Sequence, residues 1–525
     1  MIEQLTTEVY VKTRATFYNS ISNLLLYFVT ILVGIINRWA VVQILGIEYQ
    51  GINSLFSNIL SMLSIAELGI GTAIIYHLYR PLESHAIDEL KSIMSFYKKC
   101  YYAIAFVVLF LGILFIPFLG IFVTENPTEY PLPFIYGWFL LDVVISYLFT
   151  FKRSILIADQ KNYIITICDI CYQVVVKLGQ VIILFVTRNF IGYLVIMVIC
   201  RSIENIIINI ITNQKYPFLK DRHVAPIKPE VLSDIKLKVK GAFFHKIGSF
   251  VVMGTDNLLI SKFLGLTMVG IYSNYYLVIN SIQSICSRTL TAATASVGHL
   301  LTEHNYEKNR LIFNELLILN GFLVTIGACG IYNVATPFIS LIFGENYTIS
   351  KFALFILALN MYLQGTRIVY SIFKEAAGIL YEDRFVPLIE SMINIGASVF
   401  FVKFFHLAGI FMGTIASTML LYSYTFPILV VKKILKISVR KYWKTFLWML
   451  FTVILSLNIS EYMCLIFNST LGEGYPAIEI ILANCILVIL AASITYILIF
   501  AIWQPESCSL IKRLRKYLLK RDYKN

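Results

Sequence analysis

Residues 45–54 read LGIEYQGINS, and residues 264–273 read LGLTMVGIYS. Both stretches follow the pattern LGxxxxGIxS, with the second copy 219 positions after the first. Three weaker matches occur in the same order at offsets of 219 to 223: His85 with His304, Pro117-Phe118 with Pro337-Phe338, and Asp159-Gln160-Lys161 with Glu382-Asp383-Arg384. Chance matches would not keep one order and nearly one offset, so the sequence predicts an internal duplication.

The chain of 525 residues is far more apolar than a soluble protein of that length, with 58% hydrophobic and 14% charged residues and a mean hydropathy of +0.77. Soluble domains contain about 45–50% apolar and about 25% charged residues. This composition excludes a soluble enzyme, a secreted disulfide scaffold and a disordered protein. The net charge of +13 is typical of basic inner loops in a membrane protein and does not indicate nucleic-acid binding.

Stretches of about 20 apolar residues predict an all-α polytopic membrane protein with about 14 transmembrane helices. The predicted limits are 17–37, 52–76, 101–123, 132–151, 163–186, 190–212, 241–263, 269–296, 312–343, 350–373, 385–403, 407–431, 443–466 and 476–502. The ninth span is long, and Pro337 predicts a kink in it. An even number of spans places both termini on one side of the membrane.

Lysine and arginine set the orientation. With the N-terminus inside, 33 of the 43 basic residues fall in inner segments, five in outer loops or at the outer ends of spans, and five deeper within spans. By the positive-inside rule, this split predicts that both termini are cytoplasmic. We expect a multi-pass protein of the bacterial inner membrane.

The duplication and the spans together predict the domain organisation. Residues 1–213 form an N-terminal lobe of spans 1–6, and 214–240 form a basic cytoplasmic linker. Residues 241–434 form a C-terminal lobe of spans 7–12, 435–503 add spans 13–14, and 504–525 form a basic amphipathic tail for the anionic inner leaflet. Because each lobe has an even number of spans, the two repeats are predicted to be parallel.

At this point the residues resemble a known family. Arg38 followed by LGIEYQGINSLFSNILSMLSIAELGIGTAI (45–74), and KIGSFVVMGTDNLLISKFLGLTMVGIYSNYYLVINSI (246–282), resemble the Wzx-type polysaccharide flippases. These belong to the MOP exporter superfamily, which also contains the peptidoglycan-precursor flippase MurJ and the MATE drug exporters. The resemblance covers about residues 8–500 and implies a MOP/MATE-like core of two parallel six-helix lobes plus two C-terminal helices.

The function that this resemblance implies is transport rather than enzymatic catalysis. The protein would move an undecaprenyl-pyrophosphate-linked oligosaccharide, the repeat unit of a cell-surface polysaccharide, from the inner to the outer leaflet by alternating access. The implied partners are this lipid-linked substrate, membrane lipids, H⁺ or Na⁺, and the polysaccharide polymerase and glycosyltransferases of the same route. No cofactor, metal or nucleic acid is implied.

Charged residues within the spans are the candidate site residues, because each costs about 2.5–3.5 kcal/mol in mid-membrane. The candidates for binding the pyrophosphate are Arg288, Arg367, Arg201, Arg38 and Lys177; those for ion coupling are Glu67, Asp142 and Asp256. Arginine suits pyrophosphate because it binds phosphate oxygens bidentately. The alternative is internal pairing: Arg201 with Glu204, three residues apart, and Lys177 with Asp169 through a third group.

Two other functions remain open. One is an ion-coupled exporter of small cationic or amphipathic molecules, as in the MATE proteins, which would need exposed carboxylates in its cavity. The other, a membrane glycan polymerase or glycosyltransferase, is disfavoured because the outer loops are short and lack paired carboxylates. Cys168 and Cys171 form a CxxC without a second pair, so no zinc site is predicted.

Overall fold

The computed structural model describes residues 25–67, 70–221, 224–291, 293–303, 305–379, 382–470 and 476–503. In these ranges the chain consists of helices and turns. The helices up to residue 291 are α1 (Leu25–Ile44), α2 (Ile47–Leu63), α3 (Ile70–Glu83), α4 (Ile87–Phe115), α5 (Leu119–Phe122), α6 (Leu132–Ala158), α7 (Asn162–Thr187), α8 (Phe190–Lys215) and α9 (Pro229–Thr291). They are followed by α10 (Thr294–Thr302), α11 (Tyr306–Phe343), α12 (Lys351–Ala376), α13 (Val386–Leu420), the π-helical segment Leu421–Ile434, α14 (Val439–Thr470) and α15 (Ala477–Trp503).

Ten helices of the described part are long and apolar enough to cross a membrane, so the prediction of an all-α, multi-pass membrane protein is confirmed. Two long helices are each interrupted by one residue with a positive φ: α9 at Gly265 and α13 at His406. The predicted second span is divided into α2 and α3 by the short 3-10 turn Ser64–Glu67. With these breaks counted, the described residues of each predicted span lie in a helix, a part of one or a pair of helices.

Several helices begin at a polar side chain that accepts a hydrogen bond from the backbone of the first turn. The Asn189 side chain accepts from the Ile191 amide of α8 at 2.7 Å. Asn305 does the same for α11, and Ser350 for α12. Because these caps satisfy backbone donors that the helix leaves unpaired, they fix where each span starts.

The chain divides into two compact units, Met1–Ser273 and Asn274–Asn525. The first half of α9 and its kink at Gly265 therefore group with the helices that precede them. The predicted lobe limits at 213 and 241 stay a prediction. The predicted amphipathic tail lies outside the described residues.

The glycines that open the two LGxxxxGIxS copies have the same unusual backbone. Gly46 has φ 110° and ψ 165°, and Gly265 has φ 85° and ψ 171°. Residues with a Cβ rarely adopt this positive φ, so the sharp turn between consecutive helices requires glycine. The repeated motif is thus a repeated local structure, as the duplication predicts.

The two copies also contact each other, and they do so reciprocally within the first unit. A Cβ on Gly51 would overlap the backbone carbonyl of Leu266, and a Cβ on Gly270 would overlap that of Ile47. Position 270 corresponds to 51 and 266 to 47 at the offset of 219. Glycine lets the helix backbones approach this closely, so the two motif copies form a pseudo-twofold contact.

The matched inner loops carry a further similarity, each in its own unit. Asp159, after α6, accepts a hydrogen bond from the hydroxyl of Tyr216 at the end of α8. Glu382, after α12, accepts one from Lys433 Nζ at 2.6 Å, near the end of the π-helical segment. The hydrogen bond from Lys433 lowers the pKa of Glu382. Both loops therefore hold the end of the helix that is predicted to be the sixth span of its repeat.

The prolines do not behave alike. Pro117 lies in a 3-10 turn, Ile116–Phe118, that separates α4 from α5. Pro337 lies inside α11, which continues to Phe343 without an interruption. A proline can bend a helix without interrupting it, so the predicted kink at Pro337 stays a prediction.

Candidate intramembrane charge site

Three charged residues, one each on α6, α7 and α8, lie at similar depth. Asp142 is about ten residues into α6, Lys177 about ten residues before the end of α7, and Arg201 about eleven residues into α8. At 1.5 Å per residue these positions are about 15 Å from the helix ends. In a hydrocarbon core about 30 Å thick they fall near its middle.

Arg38, near the end of α1, has neutral partners in the described part of the chain. Its Nη1 donates to the backbone carbonyl of Ser273 and lies 3.4 Å from the Ser273 hydroxyl. The same hydroxyl accepts from Gln50 Nε2 at 3.3 Å. No carboxylate of the described part pairs with Arg38, so its charge is not compensated by an ion pair.

Lys177 of α7, like Arg38, has neutral partners in the described part of the chain. Its Nζ lies 3.4 Å from the Gln180 amide oxygen, which also accepts from Asn37 Nδ2 at 3.2 Å. Asn37 in turn accepts from the Tyr193 hydroxyl at 2.9 Å. These partners are buried and neutral, and among the described residues Lys177 forms no ion pair.

The structure brings four predicted site residues into one electrostatic group. Lys177 is within Coulombic range of Arg38, Arg201 and Asp142. Arg201 Nε lies 3.4 Å from Asp142 Oδ1. Arg38, Lys177 and Arg201 carry three positive charges, and Asp142 carries one negative charge, so these four residues are jointly cationic.

Arg201 begins a chain of ion pairs across α6, α7 and α8. Its Nη1 pairs with Glu204 Oε2 at 2.9 Å. Glu204 Oε1 pairs with Arg153 Nη2 at 2.7 Å, and Arg153 Nη1 pairs with Asp169 Oδ1 at 2.8 Å. The predicted pairing of Arg201 with Glu204 is therefore present, whereas Asp169 pairs with Arg153 and not with Lys177.

One edge of Arg201 has no partner in the described part of the chain. Its Nε and Nη1 face carboxylates, and its guanidinium carbon lies 4.1 Å from the centre of the Tyr172 ring. Among the residues that the structure describes, none forms a hydrogen bond or ion pair with Nη2, and 23% of the side chain is exposed. This edge can donate two hydrogen bonds to an anionic ligand.

Glu67 occupies a separate position, at the end of the 3-10 turn between α2 and α3. Its Oε1 accepts from the Tyr101 hydroxyl at 2.8 Å. A chain of hydroxyls continues from Tyr101 to Tyr97, at 3.3 Å, and from Tyr97 to Ser154, at 2.9 Å. Within the described ranges no cation pairs with Glu67, which makes it a carboxylate able to bind a proton or a small cation.

The remaining predicted residues differ in their surroundings. Arg367 of α12 pairs with Glu390 Oε1 at 3.2 Å and donates to Gln364 at 2.8 Å, so it is compensated, although no acidic residue lies near it in sequence. Arg288 is an exposed residue of α9, and Asp256 is a half-buried residue of the same helix. Their roles in binding or coupling stay predictions.

Sequence reasoning missed Arg153, which it assigned to an inner loop. The short connection between α6 and α7 brings Arg153 back against Asp169, 16 positions later. A signal for Arg153 was present in the sequence. The three consecutive spans 4–6 contain three acidic residues, Asp142, Asp169 and Glu204, but only two cations, Lys177 and Arg201, so a further cation was needed to pair them.

No protein-family model matches the sequence, and the search of curated proteins found no match. Among solved structures, the lipid II flippase MurJ in its inward closed conformation matches with a TM-score of 0.62 and 14% identity, over 92% of this chain and 98% of that one. An inward-facing MATE transporter of the MOP superfamily matches with a TM-score of 0.54 and 13% identity, over 75% of this chain and 91% of that one. The Vibrio cholerae MATE transporter VcmN matches with a TM-score of 0.53 and 14% identity, over 79% and 95%. The chain therefore has the fold shared by these transporters.

Proposed function

We propose that the protein is a flippase that carries an undecaprenyl-pyrophosphate-linked oligosaccharide from the inner to the outer leaflet of a bacterial inner membrane. The transport would proceed by alternating access, with both termini in the cytoplasm. Glycosyltransferases would supply the lipid-linked unit and a polymerase would consume it. The shared fold with a lipid II flippase supports a lipid-linked substrate.

The observation that carries the proposal is that no carboxylate of the described residues pairs with Arg38 or Lys177. A cation without an ion pair in the membrane is costly, and it is retained where it has a functional partner. A pyrophosphate would supply the missing negative charge. Nη2 of Arg201, which has no partner in the described part of the chain, would add a hydrogen bond to a phosphate oxygen. A bidentate contact would also need Nη1, which pairs with Glu204.

The membrane potential can drive this transport. One elementary charge that crosses 100 mV corresponds to about 2.3 kcal/mol. A pyrophosphate head with about two negative charges, leaving a negative cell interior, would gain about twice that. This energy supports accumulation by roughly a thousandfold, without ATP.

Antiport of H⁺ or Na⁺ could add to this driving force. Glu67 is the first candidate for ion coupling because it is a carboxylate without a cationic partner in the described part. Asp142 and Asp256 are the other candidates. In a potential-driven flippase, coupling to H⁺ or Na⁺ would determine the direction of the transport cycle and would promote release of the head group on the outer side.

The second candidate function is ion-coupled export of small cationic or amphipathic molecules, the MATE arrangement. The position of Glu67 favours it, since a cationic substrate needs an available carboxylate. Arg38, Lys177 and Arg201 oppose it, because they would repel such a substrate.

The test uses purified protein in vesicles that contain a fluorescent undecaprenyl-pyrophosphate-linked oligosaccharide. A membrane-impermeant quencher reports the fraction of lipid in each leaflet. We expect Arg38→Gln and Lys177→Gln each to slow flipping about tenfold. Arg188→Gln is the matched control, because Arg188 is exposed in the turn after α7. If the wild type moves ethidium and leaves the lipid in place, the exporter function is correct and the flippase proposal is wrong.

A further inference from the structure

Glu204 is a carboxylate shared by two arginines. Each of its oxygens faces one of them: Oε1 lies 2.7 Å from Arg153 Nη2, and Oε2 lies 2.9 Å from Arg201 Nη1. Only 3% of the Glu204 side chain is exposed, so water cannot replace a lost partner. Arg201 and Arg153 are more accessible, at 23% and 19%.

We propose that Arg153 is a positioning residue that makes Arg201 available to the anionic substrate. It does so by keeping Glu204 neutralised when Arg201 turns toward the ligand. This inference rests on the proposed function and identifies a residue that does not itself touch the substrate.

The argument follows from the cost of a buried carboxylate. Breaking a buried ion pair leaves an uncompensated charge and costs about 3–5 kcal/mol. If Arg201 were the only partner of Glu204, an incoming phosphate would have to compete against that full cost. With Arg153 in place, Glu204 keeps one charged hydrogen bond at 2.7 Å, and Arg201 can exchange partners at a smaller cost.

The other contacts of the chain fit this exchange. Asp142 is the weaker partner of Arg201, at 3.4 Å, and it lies within Coulombic range of Lys177. Lys177 can therefore continue to compensate Asp142 when Arg201 moves. Asp169 holds Arg153 from the opposite side at 2.8 Å, which keeps Arg153 beside Glu204.

The experiment measures the binding of radiolabelled inorganic pyrophosphate to the purified full-length protein. We expect Arg153→Gln to raise the Kd about tenfold, because Glu204 then depends on Arg201 alone. Removing the charge of Glu204 makes Arg153 unnecessary, so the double variant Arg153→Gln with Glu204→Gln should return to within about twofold of wild type. The matched control is Arg153→Gln with Asp169→Asn, which should stay as weak as Arg153→Gln. Glu204→Gln alone should bind at least as tightly as wild type.

The outcomes separate this inference from the proposed function. If the wild type binds and Arg38→Gln weakens binding, but Arg153→Gln binds like wild type, the flippase site stands and the role of Arg153 is wrong. A double variant that binds no better than Arg153→Gln means that Arg153 is only structural and overturns the inference. If Arg153→Gln does not fold, Glu204→Gln decides, since weaker binding in that variant contradicts a restraining carboxylate. If the wild type does not bind pyrophosphate, the proposed function fails and the inference with it.

Discussion

Replacing Gly51 by alanine adds one methyl group where the two copies of the repeated motif touch. The new Cβ would overlap the Leu266 carbonyl oxygen and come within 3.4 Å of the Gly270 nitrogen. Both are backbone atoms of α9, so a helix would have to move rather than a side chain. Overpacking of this kind costs about 1–3 kcal/mol. Alanine also favours a helix over glycine by about 1 kcal/mol, which offsets part of that cost.

The matched control is Gly137→Ala in α6, where a Cβ would meet nothing within 4 Å. Both variants share the gain in helix propensity, so the difference between them isolates the overpacking cost. One kcal/mol corresponds to about 2–4 °C in Tm for a domain of 150–250 residues. We expect Gly51→Ala to melt about 3 °C or more below Gly137→Ala in detergent, followed by loss of monodisperse protein on gel filtration.

Gly270→Ala should behave like Gly51→Ala, because its Cβ would overlap the Ile47 carbonyl. If Gly51→Ala is as stable as Gly137→Ala, the two motif copies do not pack through their backbones. That result would refute the pseudo-twofold contact and the structural support for duplication.

Glu67→Gln should abolish the dependence of flipping on a proton or sodium gradient and leave the potential-driven flipping intact, as measured in vesicles with each gradient imposed separately. An unchanged dependence on the gradient would exclude Glu67 as the coupling site. Arg367→Gln and Glu390→Gln should each lower the Tm more than the double variant does, since a single change leaves a buried charge unpaired; additive losses would contradict the pairing. Reporter fusions at Lys12 and Lys524 should both be cytoplasmic, and an external reporter at either position would refute the predicted topology.

The sequence was sufficient for the helices because they depend on patterns along the chain, whereas the duplication into two lobes stays a prediction. Apolar runs of about 20 residues indicate spans directly, and Gly46 with Gly265 marks a backbone turn that needs glycine. The break of the second span at Ser64–Glu67 was missed, since its apolar residues continue through the turn.

Ion pairs across helices were predicted less well. The pairing of Arg201 with Glu204 could be predicted from the sequence because the two residues are one turn apart on a single helix. The pairs of Arg153 with Asp169 and of Arg367 with Glu390 join different helices, and their geometry depends on how the helices pack. Sequence spacing carries no information about that packing, so it could not separate compensated cations from uncompensated ones.

The central claim is that uncompensated cations in the first unit select an anionic lipid head. The most direct measurement compares flipping of three otherwise identical fluorescent lipids, with a pyrophosphate, a monophosphate or a neutral head, by the wild type and by the double variant Arg38→Gln with Lys177→Gln. We expect the wild type to prefer pyrophosphate over the neutral head by at least about tenfold, and the double variant to lose that preference while still moving the neutral lipid. A double variant that keeps the wild-type preference would contradict the account.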